Sequence, residues 1–152
     1  SGACLDLLYS LLLSCDLQLS DTKGVAADLG PGSFTGVRVG VTLAKTLAFT
    51  LEVSCYGADA FNLIGPGIVA VPSKKGEFFV RLPGLEPERQ RDVPPGARGY
   101  GVGFAAADYP HASAFGALLK QLHPVPPERL NPVYLIEPSI SQPKSPYRMR
   151  EA

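Results

Sequence analysis

The stretch that decides the fold is DLGPGSFTGVRVG, Asp28 to Gly40. Upstream lies the apolar run Val25–Leu29. Its length suits a buried strand. Downstream, Phe34, Val37, Val41, Ala44, Ala48 and Leu51 recur at helical spacing, and Val39, Leu43 and Leu47 fill a second face. The polar residues Thr35, Arg38, Thr42 and Lys45 form only a narrow stripe. A helix apolar around most of its girth is covered by a core or by a partner. The segment therefore reads as strand, glycine turn and long buried helix.

That turn has two physical readings. A glycine-rich turn between a strand and a helix points N–H groups at one spot, where the helix dipole favours an anion. Ser33 and Thr35 add hydroxyls. Against this, no Lys-Ser/Thr pair follows the last glycine, so the turn is not a P-loop. Gly30, Gly32 and Gly36 read G-x-G-x-x-x-G, which is not the dinucleotide spacing. The other reading is a cap: Ser33 satisfies the helix start while the glycines supply positive φ and close packing. Spacing alone leaves both open.

Working outward, Leu5–Leu13 reads as a helix of about three turns. Glu52–Tyr56 reads as a strand, Ala58–Ile64 as a short helix, and Gly65-Pro66-Gly67 as the clearest break. Ile68–Val71 and Glu77–Leu82 read as a hairpin. Leu85–Gly99 is rich in Pro, Arg and Glu and is expected to be surface loop. Tyr100–Phe104 is expected as a strand between glycines. Ala112–Leu122 is expected as a helix with Ala114, Leu118, Leu119 and Leu122 inward, and Val133–Ile136 as a strand-like piece in an extended tail.

The chain has 152 residues, 45% of them hydrophobic, and a formal net charge of +0. That balance gives no global field to gather nucleic acid. Arg81, Arg89, Arg91, Arg98, Lys74 and Lys75 are interleaved with Glu77, Glu86, Glu88 and Asp92, the pattern of a mixed-charge solvated face. No apolar run reaches the ~18 residues of a membrane span, and no basic segment precedes the first apolar stretch. Cys4, Cys15 and Cys55 have no Cys-x-x-Cys spacing, so the reading is reduced, cytoplasmic thiols with no metal site. His111 and His123 do not form a one-face helical pair, and each sits beside a proline. No catalytic Ser/His/Asp set can be assembled.

GPGSFTGVRVGVTLAKTLAF, Gly30 to Phe49, resembles the signature segment of the bacterial TsaB family, also called YeaZ. CYGADAFNLI (Cys55–Ile64), KKGEFFV (Lys74–Val80), GYGVGF and NPVYLIEP (Asn131–Pro138) resemble later stretches of that family more weakly. The resemblance implies an α/β, actin/Hsp70-like, RNase H-related two-lobe fold. Its motif residues would be Gly30, Pro31, Gly32, Ser33, Phe34, Thr35, Gly36 and Arg38. Family members begin with a strand reading like ILAIDTS, whereas this sequence starts at the following helix. An incomplete first lobe over 1–65, with an exposed sheet edge, is therefore expected. A small second lobe with a proline-rich tail follows over 66–152. Pro72 stands where the family often has an acid.

The resemblance further implies a non-catalytic scaffold and activator, without a cofactor. It would pair with the catalytic subunit TsaD, and further with the ATPase TsaE, in placing threonylcarbamoyl on tRNA adenosine. Alone it would be a homodimer, and it would meet tRNA only through the complex. The apolar girth of the second helix, with Gly36 and Gly40 permitting close approach, sets helix 34–51 together with helix 5–13 as the expected homodimer or TsaD-binding surface, with Val37, Gly40, Val41, Ala44, Lys45 and Ala48 as candidate interface residues. The alternative is an enzyme, a residual nucleotide-binding hydrolase or a peptidase-like protein. The missing first strand and the missing Lys-Ser/Thr grip predict no tight ATP binding by this chain.

Overall fold

A computed structural model describes residues 2–74 and 76–135. The opening helix, α1, spans Gly2–Ser14. Strand β1 (Gly24–Asp28) leads through the glycine turn into α2 (Phe34–Leu51), which returns to strand β2 (Ser54–Ala58). β1 and β2 pair in parallel from Gly24↔Ser54 to Asp28↔Ala58. The crossover helix covers one face of this pair, as a parallel connection requires. Small residues allow the approach: Ala44 and Ala48 of α2, Ala27 of β1 and Cys55 of β2 are all buried in one cluster with Val41 and Leu130. Among the described residues β1 pairs on one edge only.

The end of α2 shows why β2 begins two residues later than Glu52. Glu52 adopts a left-handed conformation, φ 53°, and its N–H donates to Phe49 O at 3.4 Å. The Val53 N–H reaches back to Ala48 O at 3.1 Å. This is a Schellman stop made without glycine, so sequence gave no signal for it. Asp59 then caps α3 (Ala60–Ile64), accepting from Asn62 N at 2.8 Å.

The second sheet has the order β5-β4-β3-β6. The expected hairpin is present as β3 (Val69–Pro72) and β4 (Phe78–Arg81), paired antiparallel. Its interior is apolar on both faces: Val69 and Val71 pack with Phe61 and Ile64 of α3, while Ala70 and Val80 pack with Phe78. The stretch expected to be loop contributes two strands, β5 (Glu88–Gln90) on β4 and β6 (Arg98–Gly99), parallel to β3. Their side chains are mixed and charged, so periodicity does not mark them.

Tyr100–Phe104 is not a strand. Gly99, Gly101 and Gly103 have φ of 143°, 116° and 103°, which breaks the extended run. A Cβ on Gly99 would be driven into the Ala70 carbonyl, so only glycine fits there. The last α-helix among the described residues, α4, is shorter than expected, Ala114–Leu118. None of its residues is buried, and Leu119 is exposed. Its apolar side chains Ala114, Phe115 and Leu118 are only half-buried, and such shallow packing gives a short helix little tertiary support. Val133 makes a single backbone bond, donating to Leu29 O at 2.8 Å, and its stretch to Leu135 forms no strand. Ile136, the last residue of that expected strand, lies outside the described residues.

The segment after α4 returns to the first sheet. Val125 N donates to Cys55 O at 2.8 Å, and Leu130 is 2% exposed within the α2 core. No helix among the described residues is long and apolar enough to cross a membrane.

Val41 is the sharpest test of this core, because it is 2% exposed and packs in the apolar cluster under α2. Val41→Glu leaves an uncompensated buried charge, an effect of about 3–5 kcal/mol. Urea denaturation should show an unfolded or severely destabilised chain. A variant that keeps the wild-type midpoint would place Val41 on a surface instead.

Candidate functional site

Two N–H groups of the glycine turn, those of Gly30 and Gly36, are satisfied by side chains of the same segment. Gly30 takes φ 86° and its N–H donates to Asp28 Oδ1 at 2.8 Å. The Ser33 side chain caps α2, accepting from Gly36 N at 3.3 Å, and Val37 N donates to Ser33 O at 2.8 Å. Gly30 O accepts from Ala60 N at 2.8 Å, tying the turn to the start of α3. Gly30 and Pro31 are buried, while Gly32, Ser33, Phe34, Thr35, Gly36 and Arg38 are exposed. The motif therefore aims a helix, and its first N–H already holds a carboxylate.

Beside the turn lies a cleft of about 420 Å³. Its walls come from the end of β1 (Ala26, Ala27 and Asp28), from the glycine-rich start of α2, and from Tyr100 and Tyr109. The two tyrosine rings stack at 4.7 Å between centroids. Burial pushes the Asp28 carboxyl above its ordinary 3.8; the Gly30 N–H partly offsets this, and the Asp59 carboxylate adds to it. Burial likewise raises Tyr100, reinforced by the Asp28 charge and by Tyr109. Two carboxylates this close to the helix start oppose a phosphate there. Sequence reasoning quoted Asp28 without assigning it a role. Its place at the carboxyl end of a parallel strand was the available signal. Tyr109 gave none, since only folding brings it to Tyr100.

The six candidate interface residues divide. Val41, Ala44 and Ala48 are inside the chain's own core and present no surface. Val37 is half-buried against the same cluster. Gly40 is exposed, with open space where a Cβ would stand, and Lys45 Nζ donates to Glu128 O at 3.3 Å. The apolar face left outward belongs largely to α1. None of its thirteen residues is buried, and Leu7, Leu11 and Leu13 are 72%, 60% and 78% exposed. A groove of about 310 Å³ separates α1 from α2, lined by Cys4, Leu5, Val39 and Leu43 among others.

The charged stretch of the second sheet is internally paired. Arg89 meets Glu77 at 3.1 Å, Arg98 meets Asp108 at 2.8 Å, and Arg81 lies 3.7 Å from Asp59. Arg81 also donates to Asn62 Oδ1 at 2.7 Å and covers the Phe61 ring. His111 and His123 are both exposed. Ser113 Oγ lies 3.4 Å from His111 Nδ1 in the open. Among the described residues no group of three His, Cys, Asp or Glu side chains is placed to hold a metal ion.

Taken together, the parallel β1–α2–β2 crossover, the capped glycine turn and the adjoining mixed sheet define an α/β protein of the kind that includes YeaZ. A Pseudomonas aeruginosa protein described as similar to peptidase YeaZ superposes with a TM-score of 0.73 at 21% identity, over 90% of this chain and 84% of that one. The family model "TsaD: tRNA N6-adenosine threonylcarbamoyltransferase" matches residues 2–63. The tRNA threonylcarbamoyladenosine biosynthesis protein TsaB of Bacillus subtilis is 52% identical over 46 residues, 30% of this chain and 20% of its own length. The Escherichia coli TsaB is 28% identical over 85 residues, 49% of this chain and 37% of its own. Over part of its length the chain is similar in sequence to TsaB proteins, and its fold is that of YeaZ. Its matches span well under half the length of these curated relatives.

Two outcomes test the site. The raised Asp28 pKa means the folded state binds that proton more tightly than the unfolded chain. Ionised Asp28 therefore costs stability above its folded pKa, and stability rises as pH falls through the window just above 3.8. Asp28→Asn keeps an acceptor for Gly30 N and removes the charge. It should match or exceed wild-type stability at pH 7 and flatten the dependence between pH 4 and 7, measured by urea midpoints; a steeper dependence would contradict this. The thiols give the second outcome. Cys4 and Cys15 are exposed, while Cys55 is buried and burial pushes its thiol up. A thiol reagent should label two cysteines in the folded chain and the third only in denaturant.

Proposed function

We propose that this chain is a TsaB-like, non-catalytic partner in tRNA threonylcarbamoyladenosine modification. It binds a TsaD-like catalytic subunit, with a TsaE-like ATPase as a further component, and tRNA reaches it within that complex. In this reading the β1–α2–β2 layer and the second sheet are two lobes of an actin/Hsp70-like fold, divided near Gly65-Pro66, with the segment after α4 returning to the first.

The observation that carries the reading is the uncovered face of α1. Leu7 and Leu11 lie one turn apart and project into solvent, and the helix carries a single charge, Asp6. A contiguous apolar surface of this kind marks an interaction site, and a stable interface buries about 1,200 Å² or more in total. The same face explains a homodimer when the chain is alone. The non-catalytic part of the reading is supported by Ser33, whose hydroxyl is occupied as a cap.

The test uses the purified chain with a purified TsaD protein on a sizing column. Wild type should assemble with TsaD, and alone as a dimer. Leu7→Glu with Leu11→Glu should retain the wild-type melting temperature, because both positions are exposed, and lose at least about tenfold in affinity. Unchanged assembly by the double variant would remove α1 from the interface.

A further inference from the structure

A second groove, about 360 Å³ in volume, runs between α2 and the segment Leu130–Tyr134. Its lining mixes apolar residues, Val41, Leu130 and Pro132, with a set of polar side chains. Arg38 and Lys45 stand two helical turns apart on the same face of α2, about 10.5 Å along the axis, with Thr42 between them. The arginines of the second sheet have carboxylate partners. By contrast, neither Arg38 nor Lys45 makes an ion pair among the described residues. Lys45 instead donates to the Glu128 backbone carbonyl, which fixes its position without neutralising it.

Over the same groove stands an aromatic platform. Tyr134 is 53% exposed and lies 5.8 Å from the Phe34 ring, while the Arg38 guanidinium sits 5.2 Å above that ring. Asn131 lines the groove with its amide N–H donating to Arg129 O at 3.2 Å, leaving its side-chain carbonyl as an acceptor. Among the described residues no carboxylate side chain lines it. Two cations beside an exposed ring and an amide acceptor are the elements by which proteins hold single-stranded nucleic acid: cations track phosphate and rings stack on bases. The volume lies in the range of pockets that hold small ligands, about 300–1,000 Å³.

We propose that this groove binds a nucleotide unit, its phosphate held between Arg38 and Lys45 and its base stacked on Tyr134. The unit is supplied either as a free nucleotide or as part of a single-stranded RNA. The proposal goes beyond the scaffold reading, because it gives this chain a direct nucleotide contact of its own. It rests on that reading only for the choice of RNA as the polymer, and assembly with TsaD tests the reading separately.

The experiment measures binding of AMP, of a single-stranded RNA heptamer and of inorganic tripolyphosphate to the purified full chain, with the variants Arg38→Gln, Arg38→Lys and Tyr134→Ala. Both positions are exposed, and circular dichroism checks that the variants fold. Neutralising that one phosphate predicts a slope of about −0.7 for log affinity of RNA against log salt, flattening in Arg38→Gln. Tyr134→Ala should weaken RNA or AMP binding at least about fivefold, and Arg38→Lys should restore the slope. Binding of AMP at equal strength to RNA assigns the free nucleotide as the source, and tighter RNA binding assigns the polymer. The proposal is overturned if neither AMP nor RNA binds, if Tyr134→Ala leaves both unchanged, or if tripolyphosphate binds as well as RNA.

Discussion

The packing of Ala44 and Ala48 against Ala27 and Cys55 is the contact on which the remainder is built. Two parallel strands cannot stand alone, since such pairs need a helix on at least one face and are buried when stable. Small side chains on both partners let α2 come close enough to cover them. Once α2 is seated, its start must lie at the end of β1, which fixes the glycine turn. Its end must lie at the start of β2, which Glu52 achieves by turning left-handed. Leu130 then fills the remaining side of the same cluster, so the return of the chain belongs to this core as well.

The turn shows how local demands override an apparent ligand motif. A glycine loop at a helix start is a good anion cradle when its N–H groups are unclaimed. Here the Gly30 N–H is held by Asp28 and the Gly36 N–H by Ser33, while Gly30 O receives Ala60. The motif therefore works as a joint between β1, α2 and α3. Arg81 extends the joint to the second sheet through Asn62, the Gly65 carbonyl and the Phe61 ring. These contacts leave two surfaces uncommitted: the leucines of α1, and the cationic groove that ends at Tyr134.

Local signals and long-range ones divide cleanly along this chain. The bounds of α2 were legible because apolar spacing over eighteen residues and a serine cap agree. The β3–β4 hairpin was legible because apolar runs flank a glycine-containing turn. The strands β5 and β6 were not, because Glu88–Gln90 and Arg98–Gly99 have no apolar pattern and are strands only through their pairing with β4 and β3. The helix expected over 112–122 shrank because its packing, against α3, leaves none of its residues fully buried. The site was legible in part. Its motif residues sit together, but half of the candidate interface, Val41, Ala44 and Ala48, faces inward. Periodicity identifies an apolar face without saying whether the chain's own core or a partner covers it.

By itself the sequence determined the strand–turn–helix unit, the exclusion of a P-loop and a disulfide framework, and the family resemblance, because each depends on residues adjacent in the chain. Only the tertiary structure decided which face of α2 is buried, that Asp28 meets Tyr100 and Tyr109 in a cleft, and that Arg38 and Lys45 share a groove with Tyr134. Those facts depend on where the segment beyond residue 124 returns, and that return is governed by burial of Val125 and Leu130 against the first sheet. Contacts between residues some ninety positions apart follow from how the whole core packs, and no short-range pattern encodes them.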